Sequence, residues 1–309
     1  MSNTGQLGST TTNEVSEGLR SLPSGFEVGK RTLGVIWMNK RARVGIIILA
    51  FFVGMGVLAP WLSPYAPDNA TFARNQGVSA AHWLGTTGAG EDVLSQIMYG
   101  TQISLLVGLV AGGGVSVIAV IVGLTAGYLK GWRTDVINFF INLFLVIPSL
   151  PLMIVITTYV PGQGILVIIA VIAFTGWAAG SRVLRSQTQT LRSRDFIDAA
   201  IFSGEGRLRI LFREIMPNMT SLIAASFFGA ATAAIGAEAG LSFLGLGDLS
   251  TISWGTMLYW AQNNNALLTG QWALLVAPGL CVALLATSLA LINFGIDAVS
   301  NPRLRESTS

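Results

Sequence analysis

The chain has 309 residues, of which 52% are hydrophobic and 11% charged, with a formal net charge of +3. A soluble domain carries about 25% charged residues, so this deficit excludes a cytosolic enzyme. A single cysteine, Cys281, and a single histidine, His82, exclude a disulfide framework and a Cys/His zinc cluster, and so small a charge excess gives no footprint for nucleic acid.

Residues 1–30 are rich in Ser, Thr, Gly and Asn and too poor in apolar side chains to offset the entropy of ordering, so they read as a flexible tail without a signal peptide. The first apolar run, Val44 to Leu62, follows Lys40, Arg41 and Arg43. Pro60 directly after Ala59 argues against cleavage there, and a run of this length reads as an uncleaved membrane span. The second and third runs, Ser104 to Leu129 and Val136 to Val160, are separated by Lys130, Arg133 and Asp135. Each of those charges would cost about 3 kcal/mol at a bilayer centre, so the cluster must be a loop.

From Val136 to Ser181 there is no charge. As one helix this stretch would be about 69 Å long against a hydrocarbon core of about 30 Å, so it must fold back. Pro161-Gly162-Gln163-Gly164 supplies the turn. Within the third run, Pro148 and Pro151 free backbone groups and predict a kink, either bordering a pore or simply accommodating packing. A fifth span covers about Met219 to Ala237, and a sixth about Trp272 to Ile296 after Gln262-Asn263-Asn264-Asn265. The fold class is an all-α integral membrane protein with six transmembrane helices. With the N- and C-termini in the cytoplasm, Arg74 is the only one of the 18 Lys and Arg residues on the outer side, as the positive-inside rule asks.

The cytoplasmic segment 182–218 is too long to be structureless in a compact domain. Asp195 is placed to cap a helix, with Asp198 three residues on as its acidic partner, and Phe196, Ala199, Ala200 and Ser203 repeat at helical spacing until Gly204 stops it. A second piece, Arg207 to Ile215, carries Leu208, Leu211, Phe212 and Ile215 on one face, and Pro217 is expected to end it before span five. Two readings stand side by side: a hairpin whose seven arginines hold topology at lipid headgroups, or a helix that docks in a partner's groove.

Asp198-Ala199-Ala200, then Gly204-Glu205, then Ile215-Met216-Pro217-Asn218 resembles the EAA motif of ABC-importer permeases, with Asp for the usual Glu and Met for the usual Leu. Trp83-Leu84-Gly85-Thr86-Thr87-Gly88-Ala89-Gly90-Glu91-Asp92-Val93-Leu94-Ser95 is similar to the leading segment of the C-type permease of oligopeptide, dipeptide and nickel importers, although Thr87 and Glu91 replace the usual acid and arginine. Glu238-Ala239-Gly240-Leu241-Ser242-Phe243-Leu244-Gly245-Leu246-Gly247, Ser253-Trp254-Gly255 and the terminal Asn301-Pro302-Arg303-Leu304 resemble three further motifs of that branch.

The resemblance implies a type I importer (MetI-like) permease fold in a bacterial or archaeal cytoplasmic membrane. It divides the chain into a tail (1–30), a first helix with outer loop (31–103), a five-helix permease core (104–300) with coupling loop 182–218, and a C-terminal tail (301–309). It also implies a homologous second permease, two ATP-binding-cassette subunits that bind ATP and Mg, and an extracellular or periplasmic substrate-binding protein, with peptides as cargo and oligosaccharide, nickel chelate or glutathione as the alternative. No cofactor or metal site and no catalytic role is expected in this chain. Gly29-Lys30-Arg31-Thr32 is not a phosphate loop, because Arg31 stands where Ser or Thr is needed and Ser24 where the first Gly belongs.

The coupling residues implied are Asp195, Phe196, Asp198, Ala199, Ala200, Gly204, Glu205, Pro217 and Asn218. At the outer end, Glu238 with Leu241, Ser242, Phe243 and Leu244 forms a candidate gate; Glu238 is otherwise read as half solvated near the interface. Trp254, Tyr259 and Trp260 read as an interfacial belt, Arg182 and Arg185 as snorkelling, and His82 as solvated. An ion-driven secondary transporter is disfavoured, since no span carries an ionisable residue at mid-depth.

Overall fold

The computed structural model describes residues 39–160 and 164–300. The N-terminal tail with Gly29 to Thr32, the turn residues Pro161 to Gln163 and the C-terminal segment 301–309 lie outside the described residues. Among the described residues the fold is all-helical, with one isolated antiparallel bridge, Thr86 to Asp92.

Helix α1 is Lys40–Leu62, α2 Val93–Tyr128, α3 Trp132–Val146, α4 Ser149–Tyr159 and α5 Ile165–Arg192. A short α6, Asp195–Phe202, is followed by α7, Arg207–Arg209. A π-helical stretch, Ile210–Ile215, and a 3-10 turn, Met216–Met219, join α7 to α8, Thr220–Phe243. Helices α9, Trp254–Asn263, and α10, Ala273–Ser300, are the last of the described elements. Among the described residues, five helices are long and apolar enough to cross a membrane, six if α3 and α4 count as one bent span.

Several boundaries depart from the sequence reading. The third run is two helices inclined at 92°. Pro148 occupies the N-cap of α4 and Pro151 its first turn, where a missing N–H costs nothing because no carbonyl awaits it. Helix α2 starts eleven residues before the apolar run because Asp92 caps it, its Oδ2 accepting from the Ser95 amide at 2.8 Å. Helix α5 continues to Arg192, which removes the first third of the supposed 182–218 loop. The second cytoplasmic piece ends at Ile215 ahead of Pro217, as read, and α8 starts at Thr220, but the break is a 3-10 turn and the helical path runs on from Arg207 to Phe243. The backbone accommodates the missing proline donor by widening to π geometry and then tightening to 3-10, and Asn218 Nδ2 donates to the Glu214 carbonyl at 2.6 Å.

The bundle is organised on α2, which packs against α5 on one side and α8 on the other. A Cβ at Gly112 would lie 2.6 Å from Ala231 Cα of α8, and one at Gly127 would lie 2.5 Å from Thr188 Cβ of α5. Such backbone approach is how helices gain dispersion contact where lipid leaves little hydrophobic drive. Gly113 and Gly229, by contrast, face open space. Helix α1 rests on α10, with Gly45 against the Ser288 carbonyl.

The loops sort into two poles. Residues 63–92 and 244–272 meet at one, the distal pole; the C-terminal ends of α2 and α5 lie at the other, the basic pole, with the arginines of segment 182–213, and there Arg192 stacks its guanidinium over Tyr128 at 5.2 Å.

Candidate functional site

At the basic pole, α6 is anchored by one side chain. Ile197 is fully buried in a cluster with Leu184 of α5 and Ile210, Leu211 and Ile215 of the π stretch. Phe196, read from the sequence as part of a helically spaced apolar face, is exposed, and Ile197 turns inward. Asp195 is the first helical residue rather than the cap, which is Arg194 and has no side-chain hydrogen bond. Asp195 and Asp198 nevertheless lie in the first turn, where carboxylates favour the helix dipole.

Gly204 terminates α6 at φ +80, with its amide on Ile201 O and the Glu205 amide on Ala200 O. That pair of bonds is a Schellman motif, and its left-handed residue favours glycine. Glu205 then pairs with Arg209 at 3.3 Å. Ala199, Pro217 and Asn218 are exposed and Ala200 is half-buried.

The outward side of this elbow is apolar. Phe202 is 89% exposed and Leu208 71%, with Phe196, Ile201 and Phe212 also exposed. All lie outside the candidate spans or at the very start of one, and large apolar side chains exposed together at a polar pole make this segment a candidate interaction surface. Phe202 and Ile197 carry no role in the sequence reading. The i, i+3 pairing of Ile197 with Ala200 was the available signal for the inward face.

At the distal pole the gate candidates separate. Glu238 is not half solvated: it is 1% exposed, its Oε1 accepting from Ser242 Oγ at 2.9 Å and Ser253 Oγ at 2.7 Å, while Oε2 has no partner among the described residues. Leu241 and Ser242 are buried within α8, and only Phe243 and Leu244 are exposed. Ser253 caps α9 in a reciprocal box with Thr256. Trp254 is no belt residue either: it is fully buried, donates its indole N–H to Ile97 O at 3.1 Å and packs edge-on against Phe52. Gly255 allows the fit, since a Cβ there would meet Ser242 at 2.7 Å. Glu238 thus ties α9 to α8, a role that depends on residues fifteen apart.

The loop from 63 to 92 is built on a second pair. His82 Nδ1 lies 2.9 Å from Asp92 Oδ1, both groups buried, and the imidazole sits among Tyr65 and Phe72. The expectation of a solvated histidine is therefore corrected. Glu91 takes up the position of the motif's arginine by accepting from Thr87 Oγ1 and Gln96 Nε2. Nearby, the Ser250 hydroxyl and amide, ahead of a smaller desolvation effect and contacts from Thr251, hold the Asp248 carboxyl below its ordinary range. No group of three or more potential metal ligands occurs among the described residues.

The described residues form a helical bundle with five or six candidate membrane spans, closed by glycine contacts and carrying exposed apolar side chains at its basic pole. The family comparison is specific: the chain belongs to the binding-protein-dependent transport system inner membrane components, whose family profile matches residues 119–306. Residues 33–80 match the N-terminal TM domain of oligopeptide transport permease C. The chain is 33% identical to the dipeptide transport system permease protein DppC of Bacillus subtilis, over 86% of this chain and 83% of that protein. It is 34% identical to the oligopeptide transport system permease protein OppC of Mycobacterium bovis, over 83% and 89%, and 31% identical to a putative peptide transport system permease protein of Brucella suis, over 87% and 90%.

Proposed function

We propose that this chain is one transmembrane permease subunit of an ATP-binding-cassette importer for peptides, forming half of the pathway with a homologous second permease. Two ATPase subunits bind ATP and Mg beneath it, and an external binding protein delivers the peptide. The N- and C-termini and the basic pole face the cytoplasm, and the distal pole faces outward. The permeases for dipeptides and oligopeptides among the relatives support the choice of cargo.

The observation that carries the reading is the elbow at 195–212. Its outward side presents Phe202 and Leu208, while Ile197 fixes its inward side to both α5 and the 207–243 helix. A partner that moves this elbow moves two spans with it, because a close-packed cluster transmits displacement rather than absorbing it. ATP-driven closure of the ATPases would shift the bundle between two states by different contacts on the same elbow.

The test is reconstitution in proteoliposomes with the ATPases and binding protein. Labelled dipeptide should enter in an ATP-dependent manner. Phe202→Asp or Asp198→Ala should leave the permease folded while lowering the stimulation of ATPase activity by the loaded binding protein. Normal coupling with either variant in an intact complex would remove the elbow from this role.

A further inference from the structure

Helix α1 crosses from α10 to α2 and leaves a gap on the way. A Cβ at Gly45 would lie 2.6 Å from the Ser288 carbonyl of α10, and one at Gly56 would lie 3.4 Å from Thr101 Cγ2 of α2. Between α1 and α2 opens an apolar groove of about 550 Å³, walled by Leu49 and Val53 of α1 and Leu109 of α2 and floored by Ala231 of α8 and Leu285 of α10. Gln102 stands at its distal end. The lining stretches of the two walls, 49–57 and 102–109, each rise by about 10–12 Å.

The dimensions of the groove select its occupant. An α-helix is about 10–12 Å across, and a piece as long as the groove fills about 900 Å³ or more, so a span of a second subunit is too thick to enter. The hydrocarbon of one leaflet is about 15 Å deep, half of the bilayer core, and a single alkyl chain laid along the groove matches its length. Val53 and Leu109 at the rim are exposed within candidate spans, so the groove opens to hydrocarbon. Unfilled, its walls would forfeit dispersion contacts.

The one polar side chain on the walls is already oriented. Pro60 has no N–H to offer the Gly56 carbonyl four residues back, and Gln102 Nε2 donates to that carbonyl instead, at 2.8 Å. The bond uses one of the amide's two N–H groups. Gln102 is exposed and makes no other side-chain hydrogen bond among the described residues, although it lies within a candidate span, where an unpaired polar group is unfavourable. Ester carbonyls, which only accept, suit the remaining N–H.

We propose that the groove binds one acyl chain of a phospholipid from the leaflet at the distal pole, with the ester carbonyl of that chain accepting from Gln102 Nε2. An amide fixed beforehand by Gly56 lowers the ordering cost of that bond. The bound chain completes the packing of α1 against α2, α8 and α10. The site requires only a membrane-spanning bundle and is independent of the cargo.

The experiment is native mass spectrometry of the assembled complex, delipidated in detergent and titrated with palmitoyl-oleoyl phosphatidylglycerol or with its diether analogue, which lacks the ester carbonyls. Val53→Trp places an indole in the groove from its exposed rim and should weaken the tightest lipid-binding step about tenfold or more. Gln102→Leu should weaken it about fivefold, as loss of one neutral hydrogen bond requires. The diether lipid should bind the wild type about fivefold more weakly than the diester and bind Gln102→Leu no differently from it. If Gln102→Leu fails to assemble, the Val53→Trp complex and the ester-ether comparison on the wild type still decide. Unchanged affinity in Val53→Trp, or equal binding of the two lipids to the wild type, would overturn the proposal. So would a photo-crosslinker at position 109 that captures the second permease in place of lipid, which would give the groove to a protein partner.

Discussion

The hydroxyl of Ser253 donates to Glu238 Oε1 at 2.7 Å, joining the first residue before α9 to the buried end of α8. The same oxygen serves Ser242 one turn on. One carboxylate therefore fixes both the direction of α9 and the seating of Trp254 beneath it.

Glu238→Ala should destabilise the protein by about 1–3 kcal/mol, because two buried hydroxyls lose their acceptor. Glu238→Gln keeps an acceptor oxygen and should stay closer to wild type. Thermal unfolding followed by dye labelling of the single Cys281 reads both. Equal losses for the two variants would mean that the side chain's volume, rather than its hydrogen bonding, sets the effect.

Adjacent glycines on α2 should behave differently. Gly112→Ala places a methyl 2.6 Å from Ala231 Cα, and only a shift of α2 from α8 can relieve it. The expected cost is about 1–3 kcal/mol. Gly113→Ala meets nothing within 4 Å and should match or slightly exceed wild type through helix propensity. A melting comparison in one detergent decides the matter; the reverse order would disprove the packing described.

Gly204 has open space around it, so its substitution tests conformation alone. Gly204→Ala should cost about 1 kcal/mol at φ +80, and Gly204→Asn less, since Asn tolerates that region. Amide exchange at Gly204 and Glu205 should accelerate in the order Ala above Asn, while the spans stay protected. Unchanged exchange in both would show that the Schellman turn does not hold the end of α6.

Asp92 both caps α2 and holds His82. Asp92→Ala should therefore loosen the 63–92 loop more than His82→Ala does, by about 1 kcal/mol for the cap. Arg74 is the only tryptic position in that loop, so the rate of trypsin cleavage there is a direct readout. Cleavage in sealed vesicles also reports which side the loop faces. A His82 variant cut faster than the Asp92 variant would contradict this order.

The elements were legible in the sequence to different degrees. The runs at Val44 and Ser104 and the sixth near Trp272 correspond to α1, α2 and α10, since each is a long uncharged stretch whose hydropathy needs no knowledge of neighbours. The break near Pro148 was marked by its prolines, yet nothing local gives an angle of 92°. Pro217 marks the end of the 207–215 piece, yet nothing local shows that the path runs on into α8 through π and 3-10 turns that absorb the lost donor.

The sequence by itself determined that this is a membrane-spanning helical chain, that its basic residues gather at one pole, and that its motifs resemble those of a permease branch. These properties sum over neighbouring residues. Tertiary structure decided which side chains matter within that frame: Ile197 rather than Phe196 faces inward, Glu238 and Trp254 are buried, His82 is paired, and Gly112 but not Gly113 meets another helix. Each of those outcomes depends on a partner on another helix or a separate segment of loop, and a buried polar group is stabilised only by the group it actually meets.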